Sequence, residues 1–181
     1  MQLEYETNRL VLRILSESDV LRSLAFYERN LDFFAPYDPI YPDGFLTPAF
    51  QQTFIAGQLK QFLQQSALRY HLLQKEKPDT IIGVVGFSSV SLGEERSCNL
   101  CYKLDQAMLH QGYATEAVSR LLQELSLSLS IHRVQADILP GNTPSIRLAQ
   151  RLGFQYEGTA RQAHKVNGQW QDHLRYAKIL D

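Results

Sequence analysis

Gln111-Gly112-Tyr113-Ala114-Thr115-Glu116-Ala117 decides the fold. It follows a strand-like segment, Cys98 to Leu104, and opens a helical one, Thr115 to Ser130, in which Val118, Leu121, Leu122, Leu125 and Leu129 recur on one side. A glycine lets the backbone come close to a bulky ligand. The first N–H groups of a helix point outward with partial positive charge, so they favour phosphate. A strand, a glycine turn and a helix start therefore make a pyrophosphate cradle. The same spacing suits a plain β–α turn that needs a glycine, and spacing alone leaves both open.

Upstream, Leu10 to Ile14 reads as a strand, and Ser16 with Asp19 as a capping box before a helix carrying Val20, Leu21, Leu24 and Ala25. Asn30 to Gly44 reads as a loop rich in proline and aromatics. Thr47-Pro48 opens a second helix, with Phe54, Ile55, Leu59, Phe62 and Leu63 on its apolar side. Arg69 to Gln74, Thr80 to Val90 and Cys98 to Leu104 read as three strands of an antiparallel meander, the first two joined at Lys77-Pro78-Asp79. Downstream come a strand from His132 to Leu139 and a short helix from Thr143 that Gly153 closes. The alternating tail Leu125 to Leu129 leaves the end of the preceding helix ambiguous. Strands from Phe154 onward and from His173 to Leu180 follow, around the turn dipeptide Asn167-Gly168, with Trp170 expected to pack at the end of the sheet. The order β-α-α-β-β-β-α-β-α-β-β predicts an α/β mixed sheet in a single layered domain over residues 1–181.

The 181 residues carry Lys+Arg 18 against Asp+Glu 19, a net charge of -1. That balance gives no basic field for nucleic acid and no polybasic membrane anchor. The opening Met1 to Glu6 lacks a basic region followed by an apolar run, and no membrane-length apolar stretch occurs, so a cytoplasmic location is expected. Cys98 and Cys101 are half a zinc site at best, and on a strand they point to opposite faces, so no metal is expected.

The segment Leu104 to Ala117 resembles the coenzyme A motif of the GNAT N-acetyltransferase superfamily. That motif runs Arg or Gln, two residues, Gly, one residue, then Gly or Ala. Gly112 and Ala114 match, whereas Leu109 stands at the first position and His110 where close relatives usually carry Gly. The grip would then rest on backbone amides from Gln111 through Gly112, Tyr113 and Ala114 to Thr115. A later block, Asn142-Thr143-Pro144-Ser145 with Leu152-Gly153-Phe154 and Glu157-Gly158, resembles the family's Asn-x-x-Ser, Leu-Gly-Phe and Glu-Gly. Thr7 to Arg13 and Asn167 to His173 resemble the opening and closing segments of the branch that acetylates ribosomal-protein N-termini, closest to the alanine N-acetyltransferases.

The resemblance implies a GNAT fold of about seven mostly antiparallel strands and about four helices, splayed at the cofactor site. It implies acetyl-CoA as co-substrate, its arm paired with the edge Tyr102-Lys103-Leu104, and direct attack by an amine in a ternary complex. Ser145 sits where some relatives protonate the departing thiolate, and Asn142 where they hold the cofactor or order the strand end. His164 falls where one sub-branch has a catalytic Glu; it equally suits a surface histidine. Phe33, Phe34, Tyr37 and Tyr41 form the candidate acceptor slot, or else simply cover the helix pair. Glu94 is a further acceptor-side candidate beside Glu95, in a turn that reads more simply as solvated charge.

At pH 7 roughly 10–15% of an α-amine is neutral against about 0.04% of a lysine. The lack of an obvious buried carboxylate base thus favours an α-amine acceptor, a protein N-terminus. A small amine such as an antibiotic or polyamine, and a non-catalytic acyl-CoA-binding module, are the alternatives. A monomer or homodimer is expected.

Overall fold

A computed structural model describes residues 1–180. Its strands form one eight-stranded sheet: β1 (Glu4–Glu6), β2 (Leu10–Arg13), β3 (Leu68–Gln74), β4 (Lys77–Ser91), β5 (Ser97–Leu104), β6 (Arg133–Ile138), β7 (Gln155–Val166) and β8 (Gln169–Ile179). The spatial order is β1-β2-β3-β4-β5-β6-β8-β7. Every neighbouring pair is antiparallel except β5–β6. Helices α1 (Val20–Phe34) and α2 (Pro48–Leu63) pack on one face, against β3 and β4. Helix α3 (Tyr113–Leu129) covers the other, packing against β2 and β4, and α4 (Thr143–Arg151) packs against β6. Two apolar clusters result: a larger one holding Leu12, Leu72, Val85, Leu121 and Val134, and a smaller one of Phe26, Tyr27, Phe45, Ile55 and Val84.

The local signals explain most boundaries. Asp19 accepts from the Ser16 backbone at 3.1 Å, and the Thr47 hydroxyl accepts from the Phe50 amide at 3.3 Å. Helix α4 ends where Gly153 turns left-handed and the Phe154 amide reaches back to the Ala149 carbonyl at 2.9 Å. The ambiguous tail of α3 is helical through Leu129, with Leu125 and Leu129 buried.

Four expectations need correction. The sheet has eight strands, because Tyr5 is buried between exposed Glu4 and Glu6 in a strand too short to show alternation. The β3–β4 turn is Lys75–Glu76, and Pro78 to Thr80 bulge out between the pairs Gln74↔Lys77 and Leu73↔Ile81, where a proline needs no ladder bond. Phe33 and Phe34 belong to α1: Phe26, Asn30 and Phe34, four residues apart, share its buried side. Trp170 is exposed, with the Lys165 ammonium 5.3 Å from its ring. No helix among the described residues is long and apolar enough to cross a membrane.

His71, on β3, is 1% exposed and neither ring nitrogen has a hydrogen-bond partner. Burial, reinforced by the nearby Arg69 charge, pulls its pKa down from 6.5 to about 3. The folded protein keeps the ring neutral where the unfolded chain takes up a proton. Its contribution is therefore complete above pH 6.5 and is lost as pH falls toward 3. Going from pH 7 to pH 5 should cost about 2 kcal/mol at this one site. Urea melts at the two pH values should show that loss, and His71→Leu should remove it; an unchanged pH slope in the variant would refute the assignment.

Candidate active site

β5 and β6 pair in parallel over only Ser97↔Arg133, Cys98↔Val134 and Asn99↔Gln135. Beyond Asn99 they part, while β5 stays paired with β4 as far as Leu104. The Asp105 amide donates to the Ile82 carbonyl on β4 at 2.9 Å. By alternation the backbone groups of Leu104, Tyr102 and Leu100 turn the other way, into the gap. The gap is thus edged by strand backbone that can pair with an extended, amide-bearing ligand.

At the end of β5 the chain is aimed into α3. Asp105 caps a single tight turn, Gln106–Met108, accepting from the Ala107 amide at 2.9 Å and from Arg29 at 2.5 Å. Burial opposes ionisation of Asp105, but these bonds hold its carboxyl below the usual range. Leu109 packs partly buried against the larger core. His110 takes a left-handed backbone, φ 60, which explains why a glycine suits this position. Gly112 is also left-handed, φ 82, and α3 begins at Tyr113. The amides of Tyr113, Ala114 and Thr115 form the free start of a helix of 17 residues.

The cradle is braced from behind by a contact absent from the sequence reading. Glu116 accepts from the Thr7 hydroxyl at 2.6 Å, the Arg9 amide at 2.9 Å and the Arg9 guanidinium at 2.7 Å. Arg9 also donates to the Gln111 carbonyl at 2.9 Å and lies 4.4 Å over the Tyr113 ring. Desolvation raises the Glu116 pKa, but the Thr7 and Arg9 bonds outweigh it and keep the carboxyl ionised. The signal was present as Thr7-Asn8-Arg9, with no indication of its partner.

Across the gap from Tyr102, on the α3 and α4 face, stands Ser145. Their hydroxyls are 2.9 Å apart. Asn142 caps α4, its Oδ1 accepting from the Ser145 amide at 3.2 Å. Burial raises the Tyr102 pKa, so the phenol is neutral and can donate.

The opposite face carries the other groups. Val134, Ala136 and Ile138 of β6 are buried in the α3-side core, so Gln135 and Asp137 face the α1–α2 side. There His164 Nε2 lies 3.2 Å from Asp137 Oδ2, and Arg175 Nε donates to Asp137 Oδ1 at 3.0 Å. The His173 ring meets His164 edge-on at 4.8 Å. Desolvation works against the Asp137 charge, but Arg175 and then His164 hold its pKa down.

On the same face Lys103 bonds to Asp38 and, at 2.9 Å, to the Tyr41 hydroxyl. The rings of Phe34 and Tyr41 each lie 5.3 Å from its ammonium. Desolvation lowers the Lys103 pKa against the pull of Asp38. Residues 35–47, which carry Asp38, also touch the far hairpin, since the Asn167 amide donates to the Asp38 carbonyl at 2.8 Å.

The structure therefore brings together Tyr102, Asn142 and Ser145 on one face of the gap, puts the Lys103 side chain on the other, and starts α3, with Gln111 to Thr115, a short turn beyond Leu104. The aromatic group separates: Phe34 is buried, Phe33 partly so and Tyr37 exposed, while Tyr41 stacks on Phe45 at 4.1 Å. Glu94 sits in the exposed turn before β5, at the closed end of the β5–β6 pair and away from the gap. Cys98 is buried and Cys101 exposed, as opposite faces require. No group of three or more metal-binding side chains occurs among the described residues.

A gap between parallel strands, entered by a glycine-led helix start, is the arrangement of a protein that can receive an extended, phosphate-bearing ligand along a strand edge. The chain belongs to the acetyltransferase (GNAT) domain family, which matches residues 9–155; it is an N-acetyltransferase. Over 168 residues it is 32% identical to the [ribosomal protein uS5]-alanine N-acetyltransferase of Escherichia coli, covering 93% of this chain and 86% of that one. The crystal structure of the ribosomal-protein-S5-alanine acetyltransferase of Vibrio fischeri superposes with a TM-score of 0.93 at 25% identity, covering 99% and 98% of the two chains. The microcin C7 self-immunity acetyltransferase, in complex with acetyl-CoA and AMP, shares the fold with a TM-score of 0.86 at 23% identity, covering 96% and 94%.

Removing the brace should be costly. Glu116→Ala strands the Arg9 amide and the Thr7 hydroxyl, for an expected loss of about 2 kcal/mol. Thr7→Ala, which removes the bond to Glu116 and the one that the Thr7 hydroxyl accepts from the Leu10 amide at 3.0 Å, should lose a similar amount. Equal stability of both variants and the parent in chemical denaturation would rule out the brace.

Proposed function

We propose that the chain transfers the acetyl group of acetyl-CoA to the N-terminal α-amine of a protein, with a ribosomal protein as acceptor. The observation that carries the transfer reading is that the Tyr102–Ser145 and Asp137–His164 pairs flank one gap from opposite faces of the sheet. The donor set fits acetyl-CoA: an open strand edge for its amide-bearing arm and a glycine-led helix start for its phosphates. When bound, it supplies an activated acetyl thioester.

The residues divide the proton work. Tyr102 and Ser145, linked hydroxyl to hydroxyl, supply a proton to the sulfur as its bond to the acetyl carbon breaks. His164 takes the proton that the amine gives up as its nitrogen bonds to that carbon. With Asp137 ionised and facing Nε2, that nitrogen carries the hydrogen and Nδ1 keeps the lone pair. Asn142 acts on this site through the α4 cap, and Gln111 to Thr115 hold the donor by backbone amides. An α-amine needs only a modest base, since roughly a tenth of it is already neutral at pH 7. The acceptor assignment is supported by the two ribosomal-protein alanine acetyltransferases above.

The second reading, a small-molecule amine as acceptor, is favoured by the fold shared with the microcin-immunity enzyme. Thioester consumption with peptides that copy ribosomal-protein N-termini, set against free amines, separates the two; turnover confined to free amines would reject the protein acceptor.

Ser145→Ala and Tyr102→Phe should each lower kcat. The double variant should fall by about a hundredfold, less than the product of the two single effects, because one linked pair is removed. His164→Ala should lower kcat by about tenfold or more while leaving the KM for acetyl-CoA near the parent value. A parental kcat in that variant would assign the proton to solvent instead.

A further inference from the structure

Asn30, in the second half of α1, is 1% exposed. Asparagine is a weak helix former, and a buried amide costs free energy unless it is bonded. Its Nδ2 donates to the Phe26 carbonyl one turn back at 3.0 Å. Its Oδ1 reaches out of the helix and accepts from the Gln106 amide at 3.0 Å, across 76 positions. Arg29 beside it reaches the same place. It donates to Asp105 at 2.5 Å and to the Ile81 carbonyl on β4. Two consecutive residues of α1 thus grip the end of β5 and the first residue of the turn after it.

That turn is Gln106–Met108, and the start of so short a helix leaves its amides without partners of their own. Here each of the three is taken. Asn30 accepts from the Gln106 amide, the Asp105 side chain accepts from that of Ala107, and the Met108 amide donates to the Asp105 carbonyl at 2.9 Å. Arg29 in turn holds the Asp105 side chain. The direction of the turn is therefore set by α1, which lies on the face of the sheet opposite α3. From the turn the chain runs through left-handed His110 and Gly112 into α3. The stretch from Asp105 to Gly112 fixes how far the parted edge of β5 stands from the start of α3.

We infer that Asn30 and Arg29 are positioning residues for acetyl-CoA: from the far face of the sheet they fix the span between the strand edge that takes its arm and the helix start that takes its phosphates. This inference rests on the transferase reading above. A ligand held at two places binds best when the spacing of the two sites matches its own length. A loosened turn leaves each site intact and removes part of the advantage of holding both ends at once. The proton donors Tyr102 and Ser145 bond to each other on the α3 and α4 face, so the chemistry itself is untouched.

The test compares whole acetyl-CoA with its two halves: S-acetylpantetheine, which has the arm and thioester alone, and the free nucleotide, which has the phosphates alone. Asn30→Ala should raise the KM for acetyl-CoA and the Kd of coenzyme A about tenfold. Its kcat at saturation should stay within about twofold of the parent. Turnover of S-acetylpantetheine and inhibition by the nucleotide should keep their parental constants, which also verifies that the variant folds. Arg29→Gln, a milder change, should show the same pattern, and Arg29→Lys, which keeps a cation on Asp105, should lie closer to the parent. Parental KM and Kd in both Asn30→Ala and Arg29→Gln overturn the positioning role alone. Equal weakening of the whole and of both halves, or a loss confined to kcat, reduces the two residues to structural ones and also overturns it. A parent protein that neither binds coenzyme A nor turns over acetyl-CoA overturns the transferase reading and this inference with it.

Discussion

Everything at the site depends on β5 and β6 running parallel and then parting. A parallel pair cannot be joined by a tight turn; the chain must cross over the sheet, and here α3 makes that crossing. The helix therefore starts near the end of β5, beside the place where β6 has withdrawn. One topological step makes both the unpaired strand edge and the electropositive helix start, a short turn apart. The lone parallel pair also explains why the gap is stable: β5 keeps its whole ladder to β4, and β6 is held along its length by β8. The backbone groups freed on the β5 side are the ones a ligand can use.

The charged groups around the gap are arranged to stay charged or to stay neutral. Asp105, Glu116 and Asp137 each lose solvent, and each is held ionised by the hydrogen bonds it accepts: from the Ala107 amide and Arg29, from Thr7 and Arg9, and from Arg175 and His164. Tyr102 and His71 lose solvent without such support and remain neutral. Two carboxylates thus serve as fixed braces for the cradle and its approach, a third orients His164, and the phenol remains a proton donor beside Ser145.

What could be read in the sequence was local. Ser16 with Asp19, Thr47 before Pro48, and Gly153 after α4 each act within a few residues, and each structural boundary follows them. The cradle was legible for the same reason, since Gly112 and the first turn of α3 are contiguous. The misread parts are those decided at a distance. Pro36 and the run of aromatics make Phe33 and Phe34 read as loop, although the spacing Phe26, Asn30, Phe34 continues the helix. Lys103 finds Asp38 across 65 positions, and His164 finds Asp137 across 27. No pattern in either segment announces its partner.

The hydrogen bond from the Asn167 amide to the Asp38 carbonyl ties the loop before α2 to the β7–β8 turn. Asp38 is also anchored downward, to Lys103 on β5. The face that carries Lys103 and Asp137 is thus spanned by an arch rather than left as an open trough. What passes under an arch is limited by its narrowest part, not by its total bulk. Entry to this face is then governed by the width of the part that enters, whatever the size of the rest.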